Sequence, residues 1–139
     1  MEMKKMHYSH AVGEFNYHIQ ITPAYRADVF RNERTKNLTK AYLVAKVEEL
    51  KLSLVAIEFG PNHVHIFLAN CKNYAPCKIV QFLKGFSSRM MRKNHWELFR
   101  CDLWGDKFWS EGYFARSIGE TTSEAVEHYI LESQSKHWS

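Results

Sequence analysis

Two periods divide the chain. Across residues 14–22, Phe15, Tyr17, Ile19 and Ile21 alternate with Asn16, His18, Gln20 and Thr22. A period of two puts alternate side chains on opposite faces of a strand, and Pro23 ends it. Residues 37–51 carry Leu38, Tyr42, Ala45 and Leu50 at roughly helical spacing, with Lys and Glu elsewhere, which predicts a helix. Residues 53–59 predict a second strand, Gly60-Pro61-Asn62 a turn, and residues 63–69 a strand that pairs back as a hairpin. Pro76 opens the next helix, where Ile79, Leu83, Phe86 and Met90 recur on one face. Residues 106–109 and 112–118 predict short strands. Thr121-Thr122-Ser123-Glu124 resembles a capping box and starts a last helix reaching about residue 136. The order β-α-β-β-α-β-(β)-α predicts an α+β fold: a ferredoxin-like or RRM-like antiparallel sheet with helices packed on it.

At 139 residues, without repeats or low-complexity linkers, the chain predicts a single domain over 1–139. A composition 45% hydrophobic and 14% aromatic supplies a core and excludes a disordered class. The net charge of +4 is compatible with a nucleic-acid partner without requiring one. Cys71, Cys77 and Cys101 are odd in number and form no C-x-x-C pair. They predict reduced, small apolar fillers in a cytoplasmic protein, and their spacing matches no common zinc site. The Lys-bearing segment Met1 to Met6 lacks a following apolar region, and no run of about 18 apolar residues occurs, so neither signal peptide nor membrane span is expected.

Four groups carry candidate chemistry. His63 and His65 lie two apart in a strand, so both imidazoles face one side of the sheet and can share a divalent metal. The same pattern also describes half-buried, hydrogen-bonded strand histidines. Tyr129, flanked by Val126 and Ile130, is a candidate nucleophile or an amphipathic core residue. With a pKa of about 10, a tyrosine attacks poorly unless a base or metal assists it. Lys84, Arg89 and Arg92 lie largely off the apolar face of their helix, as phosphate contacts or an ordinary solvated face. In the aromatic stretch 103–114, Phe108, Trp109 and Phe114 are expected to be mainly structural.

Taken in order, several segments resemble a known family. They are Gly60-Pro61-Asn62-His63-Val64-His65-Ile66-Phe67, Tyr74-Ala75-Pro76, Phe82-Leu83-Lys84-Gly85-Phe86-Ser87-Ser88-Arg89, Leu103-Trp104-Gly105-Asp106-Lys107-Phe108-Trp109, Gly112-Tyr113-Phe114 and His128-Tyr129-Ile130. In this order and spacing the chain resembles the single-tyrosine HUH transposases of the insertion-sequence 200/605 family, from about residue 8 to 134. The resemblance implies a small homodimer that binds single-stranded DNA carrying hairpins. It implies His63 and His65 as ligands of Mg²⁺ (or Mn²⁺), with a third ligand from the last helix. It further implies Tyr129 as the nucleophile that leaves a 5′-phosphotyrosine link and a free 3′-OH, and it places Lys84 and Arg89 near DNA.

Two positions depart from the family pattern. Asn62 stands where the family usually has an aspartate, which removes a negative charge near the metal. The family's third ligand is usually a glutamine four residues after the tyrosine; here that position is Ser133 and Gln134 follows it. On a helix, plus four lies about 40° from the tyrosine and plus five about 140° away. Gln134 therefore needs a one-residue bulge or a frayed end to reach the metal. Glu132, about 60° away, is the alternative, and a weakened metal site is the third. Two rival functions remain: a domesticated relative that processes repetitive palindromic DNA, and a single-stranded nucleic-acid-binding module without catalysis. A small structural or metal-binding domain is the plainest reading.

Overall fold

In the computed structural model the alternating segment becomes strand β1 (Asn16–Ile21), the second strand from one edge of a four-stranded sheet. The description covers residues 15–103, 105, 107–118, 128, 131 and 132. Helix α1 (Glu33–Glu49) leads to β2 (Ser53–Gly60), which turns directly into β3 (His63–Ala69). Helix α2 (Pro76–His95) and β4 (Phe114–Ile118) follow. The sheet order is β2-β3-β1-β4 and every pairing is antiparallel, so this is the expected α+β, ferredoxin-like arrangement. Among the described residues no helix is long and apolar enough to cross a membrane.

One face of the sheet carries Ile19 and Ile21 of β1 and Val64, Ile66 and Leu68 of β3, all in the hydrophobic core. Leu43 and Val47 of α1, and Ile79, Val80, Leu83 and Met91 of α2, close over them. Both helical stripes differ from the sequence reading. The buried row of α1 is Thr35, Thr39, Leu43 and Val47, with Tyr42 only half-buried and Ala45 exposed. Thr39 fits inside because its hydroxyl donates to the Thr35 carbonyl at 2.7 Å. The row of α2 runs through Ser87 and Met91, leaving Phe86 and Met90 half-buried. Ser87 is buried because its hydroxyl donates to the Leu83 carbonyl and accepts the indole N–H of Trp109 at 2.9 Å.

Boundaries moved for local reasons. Helix α1 starts at Glu33 because Asn32 caps it, its side chain accepting from the Thr35 N–H. It stops where Lys51 turns left-handed at φ 62°. Residues 106–109 form no strand among the described residues; Trp109 makes a single bridge with Pro23. Phe108 and Trp109 are core residues as expected, whereas Phe114 is 44% exposed. In the expected last helix, His128, Leu131 and Glu132 are helical. The rest of that segment, with Tyr129 and Gln134, lies outside the described residues.

Candidate functional site

β3 alternates like β1, so placing Val64, Ile66 and Leu68 in the core turns His63, His65 and Phe67 to the face away from α1 and α2. The two imidazoles stand edge to face, ring centroids 5.1 Å apart. Both are buried. His63 donates Nδ1–H to the side-chain oxygen of Asn62 at 3.0 Å. Asn62 thus lacks a family aspartate's charge but keeps the acceptor.

Gly60 lies across the hairpin from His63. A Cβ there would collide with Cε1 of His63 and stand 2.8 Å from Nε2. The glycine read as part of a turn therefore has a packing role: it lets the β2 backbone lie against the imidazole.

A third histidine joins this face. His18 of β1 is buried, and its Nε2 lies 2.8 Å from Nδ1 of His65. Its ring stacks on Phe67 at 4.3 Å and meets the edge of Phe114 at 5.5 Å. In the sequence His18 reads as one polar position of an alternating strand. The signal was present, since His18 shares the period-two polar face with Asn16 and Gln20, but the register that brings it to His65 is a property of strand pairing.

The described donor set toward a metal is the two imidazoles of His63 and His65. Among the described residues no group of three His, Cys, Asp or Glu side chains is placed to hold an ion. Glu132 is exposed and pairs with His128 at 3.4 Å on its own helix surface. Two imidazoles, each with Nδ1 engaged by a neighbour, suit, in their neutral form, a divalent cation bound through Nε2.

The basic residues lie elsewhere. Lys84, Arg89 and Arg92 belong to α2, which packs on the opposite face of the sheet from the histidines. Lys84 donates to the carbonyls of Ser110, Glu111 and Gly112 at 2.7, 3.2 and 2.8 Å, so its ammonium gathers the loop ahead of β4. Burial pulls its pKa below the usual lysine range, with Glu111 opposing. The Arg89 guanidinium lies over Phe86 at 5.6 Å and that of Arg92 over Trp96 at 4.7 Å. The fold thus unites the two histidines and keeps the basic trio apart from them.

Comparison with known proteins adds a family. The family model described as "Transposase IS200 like" matches residues 11–133, a span that includes His18, His63, His65 and Tyr129. ISDra2 transposase TnpA of Deinococcus radiodurans is 31% identical over 123 residues, 88% of this chain and 86% of that protein. The transposase for insertion sequence element IS200 of Salmonella typhimurium is 25% identical, over 88% of this chain and 78% of its own length. A solved structure of a candidate transposase from Deinococcus radiodurans R1 superposes with a TM-score of 0.66 at 27% identity, covering 95% of this chain and 97% of that one. A REP-associated tyrosine transposase bound to a REP hairpin shares the fold, with a TM-score of 0.61 at 11% identity over 99% of this chain and 75% of its own.

Proposed function

Because the chain belongs to the IS200-like transposase family, we propose that it is a metal-dependent strand transferase that cuts and rejoins single-stranded DNA at hairpin-bearing element ends, acting as a homodimer. The observation that carries this reading is the paired imidazoles of His63 and His65 on one buried sheet face, each with Nδ1 engaged. His63 and His65 would hold Mg²⁺ or Mn²⁺ through Nε2, with Gln134 as third ligand and Glu132 as its alternative. When bound, such a cation supplies polarisation of the scissile phosphate and offsets charge in the transition state.

Tyr129 is the nucleophile in this reading. Its hydroxyl, once deprotonated, attacks the phosphorus. The bond from phosphorus to the 3′ oxygen breaks, and that oxygen leaves with a proton as a free 3′-OH. The phosphate stays esterified to Tyr129 at the 5′ end of the other fragment. A 3′-OH attacking this link reverses the step and rejoins strands, because the phosphodiester energy is retained in the ester. The buried face around His63 and His65 excludes water that would hydrolyse the link. Arg89 and Arg92 contact DNA phosphates at a distance from the reacting bond. Lys84, bonded to three carbonyls, shapes the loop from which β4 starts.

The test is incubation with labelled single-stranded DNA from the chain's own flanking genomic ends, with Mg²⁺ or Mn²⁺, followed by denaturing electrophoresis. A slow-migrating protein–DNA adduct that needs metal and disappears in Tyr129→Phe is expected. Salt-dependent binding to the same DNA without an adduct would favour the non-catalytic binding module, with Ser133 at the usual glutamine position as the first suspect.

A further inference from the structure

The site as read from the sequence has two histidines; the folded sheet has three. The β1–β3 register sets Gln20 opposite His65 and Phe67 opposite His18, so His18 and His65 are diagonal neighbours. Diagonal Cβ atoms in an antiparallel pair lie roughly 7–8 Å apart, within reach of two imidazole rings. The 2.8 Å between Nε2 of His18 and Nδ1 of His65 is a full hydrogen bond between buried groups. The stack on Phe67 and the edge contact with Phe114 fix the His18 ring from two sides. It is held as a partner for His65.

Two nitrogens at that distance share one proton, donated by one and accepted by the other. For His65 to ligate a cation by Nε2, that atom must carry the lone pair and Nδ1 the proton. We propose that His18 is a positioning residue of the metal site: its Nε2 accepts the Nδ1–H of His65 and so presents Nε2 of His65 to a divalent cation. Asn62 does the same for His63 from the hairpin turn. Each candidate ligand is thus oriented from a different element, one from β1 and one from the β2–β3 turn. The proposal rests on the metal-dependent reading above. It differs from a packing role for His18, which the stack on Phe67 alone would satisfy.

The test is calorimetric titration of the whole chain with Mn²⁺ in four forms: wild type, His18→Phe, His18→Gln and the double variant His63→Ala/His65→Ala. Phenylalanine keeps the stack and removes the acceptor; glutamine restores an acceptor oxygen. Loss of an orienting partner typically weakens metal binding about 10–100-fold. We expect His18→Phe to lose affinity in that range and His18→Gln to recover most of it; the metal-free melt of His18→Phe falls because the buried His65 N–H loses its acceptor, and that of His18→Gln stays closer to wild type. Wild-type affinity in His18→Phe, with binding abolished in the double variant, would overturn the proposal while leaving the metal reading intact. A wild type that binds no Mn²⁺ would remove the metal reading and the proposal together. Should His18→Phe fail to fold, ring-nitrogen NMR of the Mg²⁺-saturated wild type decides. A proton on Nδ1 of His65 supports the assignment, and a proton on Nε2 overturns it.

Discussion

Replacing Gly60 with alanine tests how tightly the strand backbone places the first histidine. Gly60 is not in the left-handed region, so alanine suits its backbone. By narrowing the unfolded ensemble, the change alone would stabilise the fold by about 0.4–1 kcal/mol. The added Cβ stands 2.8 Å from Nε2 of His63, where ordinary contact begins at 3.4 Å. The ring must retreat by at least about 0.6 Å, the shortfall at Nε2, and by more at Cε1, which lies closer still, since the packed interior leaves little slack. Metal–ligand distances tolerate about 0.2 Å, so the displacement exceeds the tolerance at least about threefold. Turning the ring about 30° off its rotamer costs about 0.5–1.5 kcal/mol, close to the backbone gain. The melt should therefore barely move, while Mn²⁺ affinity falls at least about tenfold, or about 1.4 kcal/mol. Calorimetric titration beside a thermal melt measures both. Wild-type Mn²⁺ affinity in Gly60→Ala would refute the reasoning, because the approach of β2 would then not set the position of the imidazole.

Further outcomes follow from other contacts and from burial. Ser87→Ala leaves the buried Trp109 N–H without the acceptor it now has at 2.9 Å, and should cost about 1–3 kcal/mol in urea unfolding. Asn62→Asp keeps an acceptor for His63 and adds a negative charge beside it, so it should tighten Mn²⁺ binding several-fold, whereas Asn62→Leu should weaken it. Burial pushes the Cys71 thiol up from 9.0 to about 12. The folded chain therefore holds a proton that the unfolded chain has lost, and stability from this group falls as pH rises from 9 toward about 12. In the native state a thiol reagent at pH 8 should label the exposed Cys77 and Cys101 quickly and Cys71 only after unfolding.

The sequence carried the strands well because their alternation is strict. β1, β2 and β3 fall within a residue or two of the predicted segments, and the hairpin turn at Pro61 and Asn62 is where it was expected. The helical rows were harder. A period of 3.6 leaves two adjacent rows nearly equivalent, and hydroxyl residues such as Thr39 and Ser87 enter the core once they bond back to the preceding turn. The pairing of His63 with His65 was legible from spacing alone. The contribution of His18, the glycine against His63 and the three-carbonyl grip of Lys84 were not, because each joins residues 3 to 47 positions apart through a register or loop that no local pattern encodes. Lys84, Arg89 and Arg92 shared a sequence signal with the histidines but not a side of the sheet, since nothing in the spacing says which face a helix will cover.

The two faces of β3 also bind the fate of the site to that of the core. Val64, Ile66 and Leu68 point one way and His63, His65 and Phe67 the other. A slip of one residue in the β1–β3 register would turn both imidazoles into the helix layer and three aliphatic side chains out of it. No form slipped by one residue can keep a well-packed core while losing only its chemistry. Folding stability here acts as a proofreader of the face the histidines take: any chain that has buried Val64, Ile66 and Leu68 has, by the same alternation, turned His63 and His65 to the opposite face. Single-residue insertions or deletions within β3 should accordingly behave as folding defects rather than as subtle losses of activity.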